Sequence, residues 1–367
     1  MTGFASHART SVQFGPGSFA GLGEAARSRG FRRSLIVSDP GIRKARFVEH
    51  AQASLAAAGI AAGCFDGFGE NPDSAQAEAG RQYAAAFEPD SIIGLGGGSS
   101  MDCAKAINFL FTNGGTMRDY WGYAKAAAPL LPMIGIPTTT GTGSEAQTYA
   151  LISDADTHVK MACGAPGAAF GLVILDPELA VSQPRPVLAA AGYDAISHAV
   201  ETLVTTKRNH MSDCYARESW RLLSKAFPRL LSGQGGIEAA GDMQMGAYLA
   251  GAAIEHSMLG AAHATANPLT ARYGIAHGHA IALMLDHVVA WNELVAGGRY
   301  SEFDQDLPAR LDELASAANL PRSLGSSGVP ESALPQLAED ASRQWTGTFN
   351  PRKFDAAAAL EIYQCAF

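Results

Sequence analysis

Residues 91–111 read SIIGLGGGSSMDCAKAINFLF. The opening apolar run, residues 91–95, is typical of a strand buried in a parallel sheet. Glycines and serines follow, and residues 101–111 then have the composition of a helix. The segment therefore predicts a strand, a tight turn and a helix.

The glycine-rich turn at residues 96–99 has properties that suit a diphosphate. Glycines let backbone N–H groups approach a phosphate closely, and the N-terminus of the next helix adds partial positive charge. The turn does not complete the G-x-G-x-x-G pattern, because Ser99 stands at the last glycine position. A nucleotide site and a tight structural turn are both consistent with this segment alone.

The sequence around this turn alternates between apolar runs and helical patterns. Residues 34–38 and 133–136 are short apolar runs that predict further strands. Residues 47–58 and 72–87 predict helices, and Asn71 is a reasonable N-terminal signal for the second of them. Strands that alternate with helices predict a parallel sheet in an α/β layer.

The pattern changes from about residue 188, where long Ala-, Leu- and Met-rich stretches with helical spacing begin. Three prolines lie between residues 176 and 186 and mark a boundary. The sequence therefore predicts an α/β domain over residues 1–183 and an all-helical domain over residues 184–367.

Two further segments have residues that suit a dinucleotide. Residues 137–144, PTTTGTGS, form a hydroxyl- and glycine-rich loop directly after a predicted strand. Such a loop can contact phosphate or ribose, or it can be an ordinary capped loop. Asp39 ends the first clear strand, where a carboxylate would accept hydrogen bonds from ribose and repel a 2′-phosphate, favouring NAD over NADP. The alternative for Asp39 is a residue that forms an Asp-Pro-Gly turn.

A possible metal site lies in the second half of the chain. Asp194 and His198 are spaced i, i+4, so a helix would present both from one face. Residues 256–287 hold five of the ten histidines, and His263 and His277 are among them. One aspartate and three histidines would suit Fe²⁺ or Zn²⁺. The alternative is that these histidines are satisfied core or surface residues.

Composition narrows the class of protein. The chain has 367 residues and a net charge of −8, which makes a nucleic acid a poor candidate partner. Its five cysteines are scattered without a C-x-x-C pair, which fits a reducing compartment. Residues 1–20 lack the apolar run of a signal peptide, and no uncharged run predicts a membrane span. We therefore expect a soluble, cytoplasmic protein that binds neither nucleic acid nor membrane.

These motifs occur together, in the same order, in one known family. The sequence resembles the iron-dependent (group III) alcohol dehydrogenases over nearly its whole length. The matching segments are the GGGS and D-x-A-K signature at residues 96–105, the second cofactor signature at 137–145, the first metal segment at 192–201, and the second metal segment at 260–263 with 277–278.

The resemblance implies the dehydroquinate synthase-like, iron-type alcohol dehydrogenase fold, with a dinucleotide-binding α/β domain over residues 1–183 and a helical metal-binding domain over residues 184–367. It also implies a cytoplasmic homodimer. It implies hydride transfer between a small alcohol or aldehyde, activated by Fe²⁺ or Zn²⁺, and C4 of NAD, with NADP the less favoured cofactor. It assigns metal ligation to Asp194, His198, His263 and His277. It assigns cofactor contacts to Asp39, Asn71, Gly97, Gly98, Ser99, Thr138, Thr139, Thr142 and Lys160.

One departure from the family pattern concerns proton transfer. The family usually shows H-A-x-x-H-P, whereas residues 263–268 here read HATANP, so Asn267 replaces the second histidine. Asparagine cannot titrate, although it can orient a water or a substrate hydroxyl. On one helix His256, His263 and Asn267 would share a face. We therefore predict that His256 takes over proton transfer; the alternative is a packing or surface histidine.

Three other functions are alternatives to an alcohol dehydrogenase. A dehydroquinate synthase-like lyase would share the fold, the metal and NAD, but it needs basic residues around an acidic substrate. Between residues 233 and 297 the sequence has no lysine and one arginine, Arg272. A metal hydrolase would leave both glycine-rich segments unexplained. A metal-binding protein without redox turnover is the remaining alternative, should Asn267 abolish the reaction.

Overall fold

A computed structural model describes Phe4 and residues 9–367 of the chain. The chain divides into two compact units. The α/β unit contains residues 9–139 and 144–182, and the helical unit contains residues 140–143 and 183–367. Residues 140–143 thus pack with the helical unit, although they lie within the range predicted for the α/β domain. The boundary at residue 183 stays a prediction.

The α/β unit contains all the strands of the described residues. In chain order they are β1 (Ser11–Phe14), β2 (Arg33–Val37), β3 (Ala61–Phe65), β4 (Ser91–Gly96), β5 (Gly122–Tyr123), β6 (Met133–Pro137), β7 (Tyr149–Ser153), β8 (Lys160–Gly164) and β9 (Leu172–Leu175). Six of them form a parallel sheet in the order β1-β9-β6-β4-β2-β3. The other three form a small mixed sheet, β5-β8-β7.

Helices cover the parallel sheet and make up the helical unit. The α-helices of the first unit are α1 (Leu22–Ser28), α2 (Pro40–Lys44), α3 (Phe47–Ala57), α4 (Ser74–Phe87), α5 (Gly98–Asn113) and α6 (Pro177–Val181). Those of the second are α7 (Arg185–Thr202), α8 (His210–Leu231), α9 (Gly236–Ser257), α10 (Ala261–Tyr273), α11 (His277–Tyr300), α12 (Leu307–Ala317), α13 (Leu334–Ser342) and α14 (Ala356–Cys365). An α/β unit followed by a helical unit confirms the predicted fold class.

The order of the strands places a crevice beside the glycine-rich turn. The chain runs from β2 outward to β3 and then returns to the other side of β2 to form β4. In open parallel sheets, ligands bind outside the carboxyl ends of the strands where the order reverses in this way. Gly96 at the end of β4 is paired in register with Pro137 at the end of β6. Three adjacent strands therefore end at this edge.

The predicted strands and helices of this unit are confirmed to within a few residues, with one correction. The helix predicted from residue 72 begins at Ser74, and Asp73 caps it. The Asp73 side chain accepts a hydrogen bond from the Gln76 backbone N–H, and the Gln76 side chain accepts from the Asp73 N–H. Asn71 is therefore not the cap. It has a left-handed backbone, with φ of +50°.

Several strands have no clear signal in the sequence. All residues of the edge strand β1 are exposed, and β3 contains small residues, so neither shows a buried apolar run. The hairpin β7–β8 pairs short segments around the turn at residues 154–159. These strands form because neighbouring strands supply hydrogen-bonding partners, which periodicity alone does not reveal.

The helical unit is held by one large apolar cluster. It includes Tyr193, Phe227 and Leu285, all at or near complete burial. Among the described residues, α11 is the one helix long and apolar enough to cross a membrane, and 56% of its most apolar window is buried inside the protein. A core helix has these same properties, and Ile281 and Leu285 of α11 belong to the apolar cluster.

Candidate active site

One face of α7 carries the first half of the candidate metal site. Asp194, His198 and Glu201 lie at positions i, i+4 and i+7 of this helix, and all three are at least 95% buried. Helical spacing of this kind places side chains one above another on a single face. Burial of two carboxylates and an imidazole together is costly unless charges are paired or a cation is bound.

His263 and His277 complete the cluster from two other helices. His263 lies in the first turn of α10, and His277 is the first residue of α11. Ligand atoms of Asp194, His263 and His277 lie within 4.8 Å of one another. The Nε2 atom of His198 is 3.2 Å from Nε2 of His263. The structure thus brings together all four residues that the resemblance implies as ligands.

The carboxylate of Asp194 is the centre of this cluster. Its Oδ1 atom lies 3.4 Å from Nε2 of His198 and 3.5 Å from Nε2 of His263 and of His277. Within the described part of the chain, this buried oxygen has no partner with hydrogen-bond geometry. An acceptor that faces three imidazole nitrogens without a hydrogen bond is the arrangement that a divalent cation would satisfy.

Electrostatics at the cluster favour positive charge. Burial opposes ionisation of Asp194, but the surrounding histidines outweigh it and hold its pKa well below the usual range. Burial lowers the pKa of His198 to about 4, against the attraction of Asp194. Burial acts in the same direction on His263, yet Glu201 and Asp194 prevail and raise its pKa to about 9. The two carboxylates therefore stabilise a cation at this point.

Backbone atoms form most of the candidate dinucleotide site. Gly96 has φ of +141°, and a Cβ there would lie 2.3 Å from Oγ of Ser100. A Cβ on Gly97 would lie 3.3 Å from the Thr139 side chain. Gly97 is the N-cap of α5 and gives no side-chain cap, so the first N–H groups of this helix are available as donors to a ligand. Only glycine is compatible with position 96.

Asp39 lies at the end of β2, next to this turn. Its Oδ1 accepts hydrogen bonds from the backbone N–H groups of Gly41 and Ile42, so it caps α2. Its Oδ2 accepts from Oγ of Ser100 at 3.4 Å. The structure therefore shows the turn-forming role of Asp39, and it also places this carboxylate against the glycine-rich turn.

Three of the other predicted cofactor residues also meet. The backbone N–H of Asn71 donates to Oγ of Ser99 at 3.2 Å, and Nζ of Lys160 donates to Oδ1 of Asn71 at 3.4 Å. Ser99 and Gly98 lie in the first turn of α5. An ammonium group and a helix N-terminus that share one neighbour provide positive charge suited to a diphosphate.

The hydroxyl-rich loop is divided between the two units. Thr138 and Thr139 belong to the α/β unit, where the Thr138 N–H donates to the carbonyl of Gly96. Oγ1 of Thr138 is buried and has no partner among residues 9–367. Thr142 belongs to the segment that packs with the helical unit. There a Cβ on Gly143 would lie 2.6 Å from Cα of Gly251, so backbone packs on backbone.

Comparison with known proteins agrees with this geometry. The family model described as iron-containing alcohol dehydrogenase matches residues 9–177. The model described as Fe-containing alcohol dehydrogenase family, C-terminal, matches residues 188–367. The chain belongs to the iron-containing alcohol dehydrogenase family. The family resemblance drawn from the motifs is confirmed.

Individual relatives of this iron-containing alcohol dehydrogenase cover nearly the whole chain. Alcohol dehydrogenase 4 of Schizosaccharomyces pombe is 33% identical over 92% of this chain and 83% of its own length. NAD-dependent methanol dehydrogenase of Bacillus methanolicus is 28% identical over 92% of this chain and 93% of its own. The solved structure of a 1,3-propanediol oxidoreductase superposes with a TM-score of 0.93 at 29% identity, covering 97% of both chains.

The predicted helix face shared by His256, His263 and Asn267 is not present in this alcohol dehydrogenase. His256 does not share a helix with His263 and Asn267, because α9 ends at Ser257 and α10 begins at Ala261. Met258, with φ of +94°, interrupts the helical path. The prediction that the three residues share one helix face is therefore wrong, because the chain is not helical between Ser257 and Ala261.

His256 and Asn267 contact different neighbouring side chains. The His256 ring stacks on Tyr215, with centroids 5.7 Å apart. Nδ2 of Asn267 donates to Oε1 of Gln344 at 3.1 Å, so this amide is held in one orientation. Proton transfer through His256 and orientation of a substrate hydroxyl by Asn267 stay predictions.

Sequence reasoning missed a buried lysine that supports the cofactor loop of this family. Lys105 is fully buried and its Nζ donates to the carbonyls of Ser144 and Tyr149, each at 2.7 Å, and to Oγ of Ser144 at 3.1 Å. Oγ of Ser144 in turn donates to Oδ1 of Asp102 at 2.6 Å. The motif D-x-A-K contained these residues, but nothing in its spacing indicates which loop they hold.

Proposed function

We propose that this protein is a metal-dependent, NAD-linked alcohol dehydrogenase that interconverts small alcohols and aldehydes. The observation that carries this proposal is the buried Oδ1 of Asp194, which faces the Nε2 atoms of three histidines without a hydrogen bond. Membership of the iron-containing family and the names of its relatives support the same activity.

The donor set fits a divalent cation. One carboxylate oxygen and three imidazole nitrogens are ligands for Fe²⁺ and for Zn²⁺ alike, and Asp194, His198, His263 and His277 would hold the ion. When bound, the cation supplies Lewis acidity, which lowers the pKa of an alcohol and polarises a carbonyl. The chain's part is to present these four side chains already converged, so that little reorganisation accompanies binding.

The α/β unit fits a dinucleotide. NAD supplies the hydride acceptor of the reaction, and the chain supplies a binding surface at the carboxyl edge of its sheet. The backbone of residues 96–99, the α5 N-terminus and Lys160 offer donors to a diphosphate. Thr138 and Thr139 of this unit offer hydroxyls, and so does Thr142 of the segment 140–143. The buried Oγ1 of Thr138 has no hydrogen-bond partner among residues 9–367. We propose all nine predicted residues, Asn71 among them, as contacts of this cofactor.

Preference for NAD over NADP is proposed from Asp39. Its carboxylate lies at the end of β2 beside the turn. A carboxylate at this position would repel the 2′-phosphate that distinguishes NADP from NAD. An Asp39→Ser variant should narrow the preference for NADH over NADPH by about tenfold, as expected for loss of one like-charge contact.

Proton transfer in the proposed reaction involves Asn267 and His256. Asn267 cannot exchange a proton, and its amide held by Gln344 can orient a hydroxyl or a water. His256 is the proposed proton-transfer residue. The test is His256→Gln, and an unchanged kcat and pH–rate profile would remove His256 from the mechanism.

The proposed function has a direct test. The protein is stripped of metal, restored anaerobically with Fe²⁺ or Zn²⁺, and assayed by NADH and NADPH absorbance against short alcohols and aldehydes. Turnover that requires the metal and prefers NADH is the expected result. Tight binding of metal and NAD without turnover for any pair would contradict dehydrogenase activity and would direct attention to Asn267.

The cellular compartment and the oligomeric state of the enzyme are part of the same proposal. The net charge of −8 and the five free cysteines support a reducing, cytoplasmic compartment without a nucleic-acid partner. A homodimer rests on the family resemblance, and light scattering of the purified protein measures it.

A further inference from the structure

We propose that Glu201 is a positioning residue of the metal centre, which holds His263 in the tautomer that can bind the cation. This inference rests on the proposed function, because it concerns the same cluster of ligands. Glu201 belongs to neither the implied ligand set nor the implied cofactor contacts. It is 4% exposed, and it lies one turn beyond His198 on the face of α7 that carries Asp194.

The contacts of Glu201 divide between its two oxygens. Oε2 accepts a hydrogen bond from Nδ1 of His263 at 2.5 Å. Oε1 accepts from the backbone N–H of Ala262 at 2.8 Å and of Gly260 at 3.1 Å. One buried carboxylate thus contacts both the imidazole of His263 and the first turn of the helix that carries it.

These contacts determine where the imidazole proton lies. An ionised carboxylate can only accept, so Nδ1 of His263 must be the donor. The lone pair of neutral His263 is therefore on Nε2, the atom that faces Oδ1 of Asp194 at 3.5 Å and Nε2 of His198 at 3.2 Å. Metal-binding histidines generally donate their second N–H to a carboxylate or carbonyl in this way, which orients the ring and raises its basicity.

Charge balance supports the same assignment. Asp194 and Glu201 bring two negative charges into a buried region, and His198 and His263 are neutral when they act as ligands. A divalent cation therefore makes the cluster neutral, whereas either carboxylate alone would leave a net positive charge. Glu201 thus contributes to affinity by its charge as well as by its hydrogen bond.

A second residue provides a matched control. Oδ1 of Asn350 accepts a hydrogen bond from the backbone N–H of Ala261 at 3.2 Å, so it also supports the first turn of α10. Asn350 does not hydrogen-bond to His263. Asn350 also exchanges hydrogen bonds with Asn292, which makes its loss a structural perturbation. Loss of Asn350 therefore removes support for the helix and leaves the imidazole contact intact.

The test compares Glu201→Gln with Asn350→Ala in metal-depleted protein titrated with Zn²⁺ and with Co²⁺. In Glu201→Gln the amide oxygen can still accept from Gly260 and Ala262, but the NH₂ group can only donate to Nδ1 of His263. The Nε2-protonated tautomer is then favoured, and this proton must leave Nε2 before the metal binds there, which weakens binding. We expect the metal Kd to rise about 10–100-fold, with little change in the melting temperature of the metal-free protein.

Asn350→Ala should give the opposite pattern, with a lower melting temperature and a metal Kd within about threefold of wild type. Equal affinity in Glu201→Gln and wild type, or an equal loss in both variants, would overturn the positioning role. Failure of the wild-type protein to bind either metal would instead overturn the proposed metal centre itself.

A measurement on the unmutated protein covers the case in which Glu201→Gln does not fold. In zinc-loaded protein labelled with ¹⁵N-histidine, the Nδ1–H of His263 should give a downfield proton resonance protected from exchange, and His263→Ala identifies it by its loss. A spectrum that assigns the His263 proton to Nε2 would overturn the inference.

Discussion

The glycine-rich turn and the metal cluster are built in different ways. The turn at residues 96–99 presents backbone N–H groups, and its geometry depends on the absence of side chains at Gly96 and Gly97. The cluster consists of buried side chains from three helices, α7, α10 and α11. One site is contiguous in the chain, and the other spans residues 194–277.

This difference determines how each site responds to change. A backbone site tolerates many neighbouring substitutions but fails when a Cβ occupies the space that glycine leaves open. A site of converged charges fails when one charge is removed, because the others remain buried without compensation. Variants of each kind should therefore affect one function and spare the other.

The largest effect is expected from Asp194→Asn in the metal cluster. The variant loses the charged oxygen that faces three histidines, and with it several kcal/mol of Lewis-acid stabilisation, so kcat/KM should fall on the order of 1000-fold. NAD binding, measured by nucleotide fluorescence titration, should be retained. Asp286→Asn, which removes a buried carboxylate paired with Arg322, is the control and should keep its metal. Retained metal binding in Asp194→Asn would contradict the view that the cluster fails when one of its charges is removed.

Lys105→Met examines a buried charge that supports the cofactor loop. It removes a fully buried ammonium, so the carbonyls of Ser144 and Tyr149 lose this donor. Asp102, whose Oδ1 lies 3.9 Å from Nζ, loses its ion-pair partner. We expect the free energy of unfolding to fall by about 3–5 kcal/mol in denaturant titrations. Arg81→Met, which breaks the partly exposed pair with Glu78, should cost below about 1 kcal/mol. Similar losses in both variants would show that burial does not decide the effect.

Glu145, the last residue of the second cofactor signature, should make stability depend on pH. It is 3% exposed, and burial raises the pKa of its carboxyl to about 7, against the attraction of Lys105. Between the unfolded pKa near 4.5 and pH 7 the folded state binds more protons, so stability falls as pH rises through this window. Above pH 7 the full cost of burying the charge is present.

The Glu145→Gln variant isolates this contribution, because other titrating groups cancel in the comparison with wild type. The free energy of unfolding of the variant minus that of wild type should increase by about 2–3 kcal/mol from pH 5 to pH 8. The measurement is urea denaturation at each pH. A difference that stays constant across the range would be evidence against a raised pKa at this position.

The smallest of these effects is expected from Gly96→Ala in the turn. The added Cβ would lie 2.3 Å from Oγ of Ser100, and the residue would have to keep φ of +141°. We expect NAD affinity to fall about 10–100-fold, with metal affinity unchanged. The control is Gly114→Ala, at the other end of α5, where φ is +72° and nothing lies within 4 Å of an added Cβ. It should lower the free energy of unfolding by about 1 kcal/mol and leave NAD affinity unchanged. Equal losses of NAD affinity in the two variants would remove the special role of Gly96.

Features built from contiguous residues could be predicted from the sequence. The apolar run before the glycines, the turn and the helix after it follow from local pattern, and so does the i, i+4 pair of Asp194 and His198. The helical second half also follows from periodicity. The short strand β1 could not be predicted, since its pairing with β9 joins residues far apart in the chain.

The amino-acid sequence by itself determined the two kinds of unit, the glycine-rich turn and the identity of four potential ligands, because propensity, periodicity and residue chemistry are local properties. Tertiary structure decided which of these meet. It placed Oδ1 of Asp194 against three imidazoles, brought Glu201 to Nδ1 of His263, and separated His256 from that histidine by ending a helix at Ser257. The physical reason is that hydrogen bonds and charge pairs act over a few ångströms in space, whatever the distance along the chain.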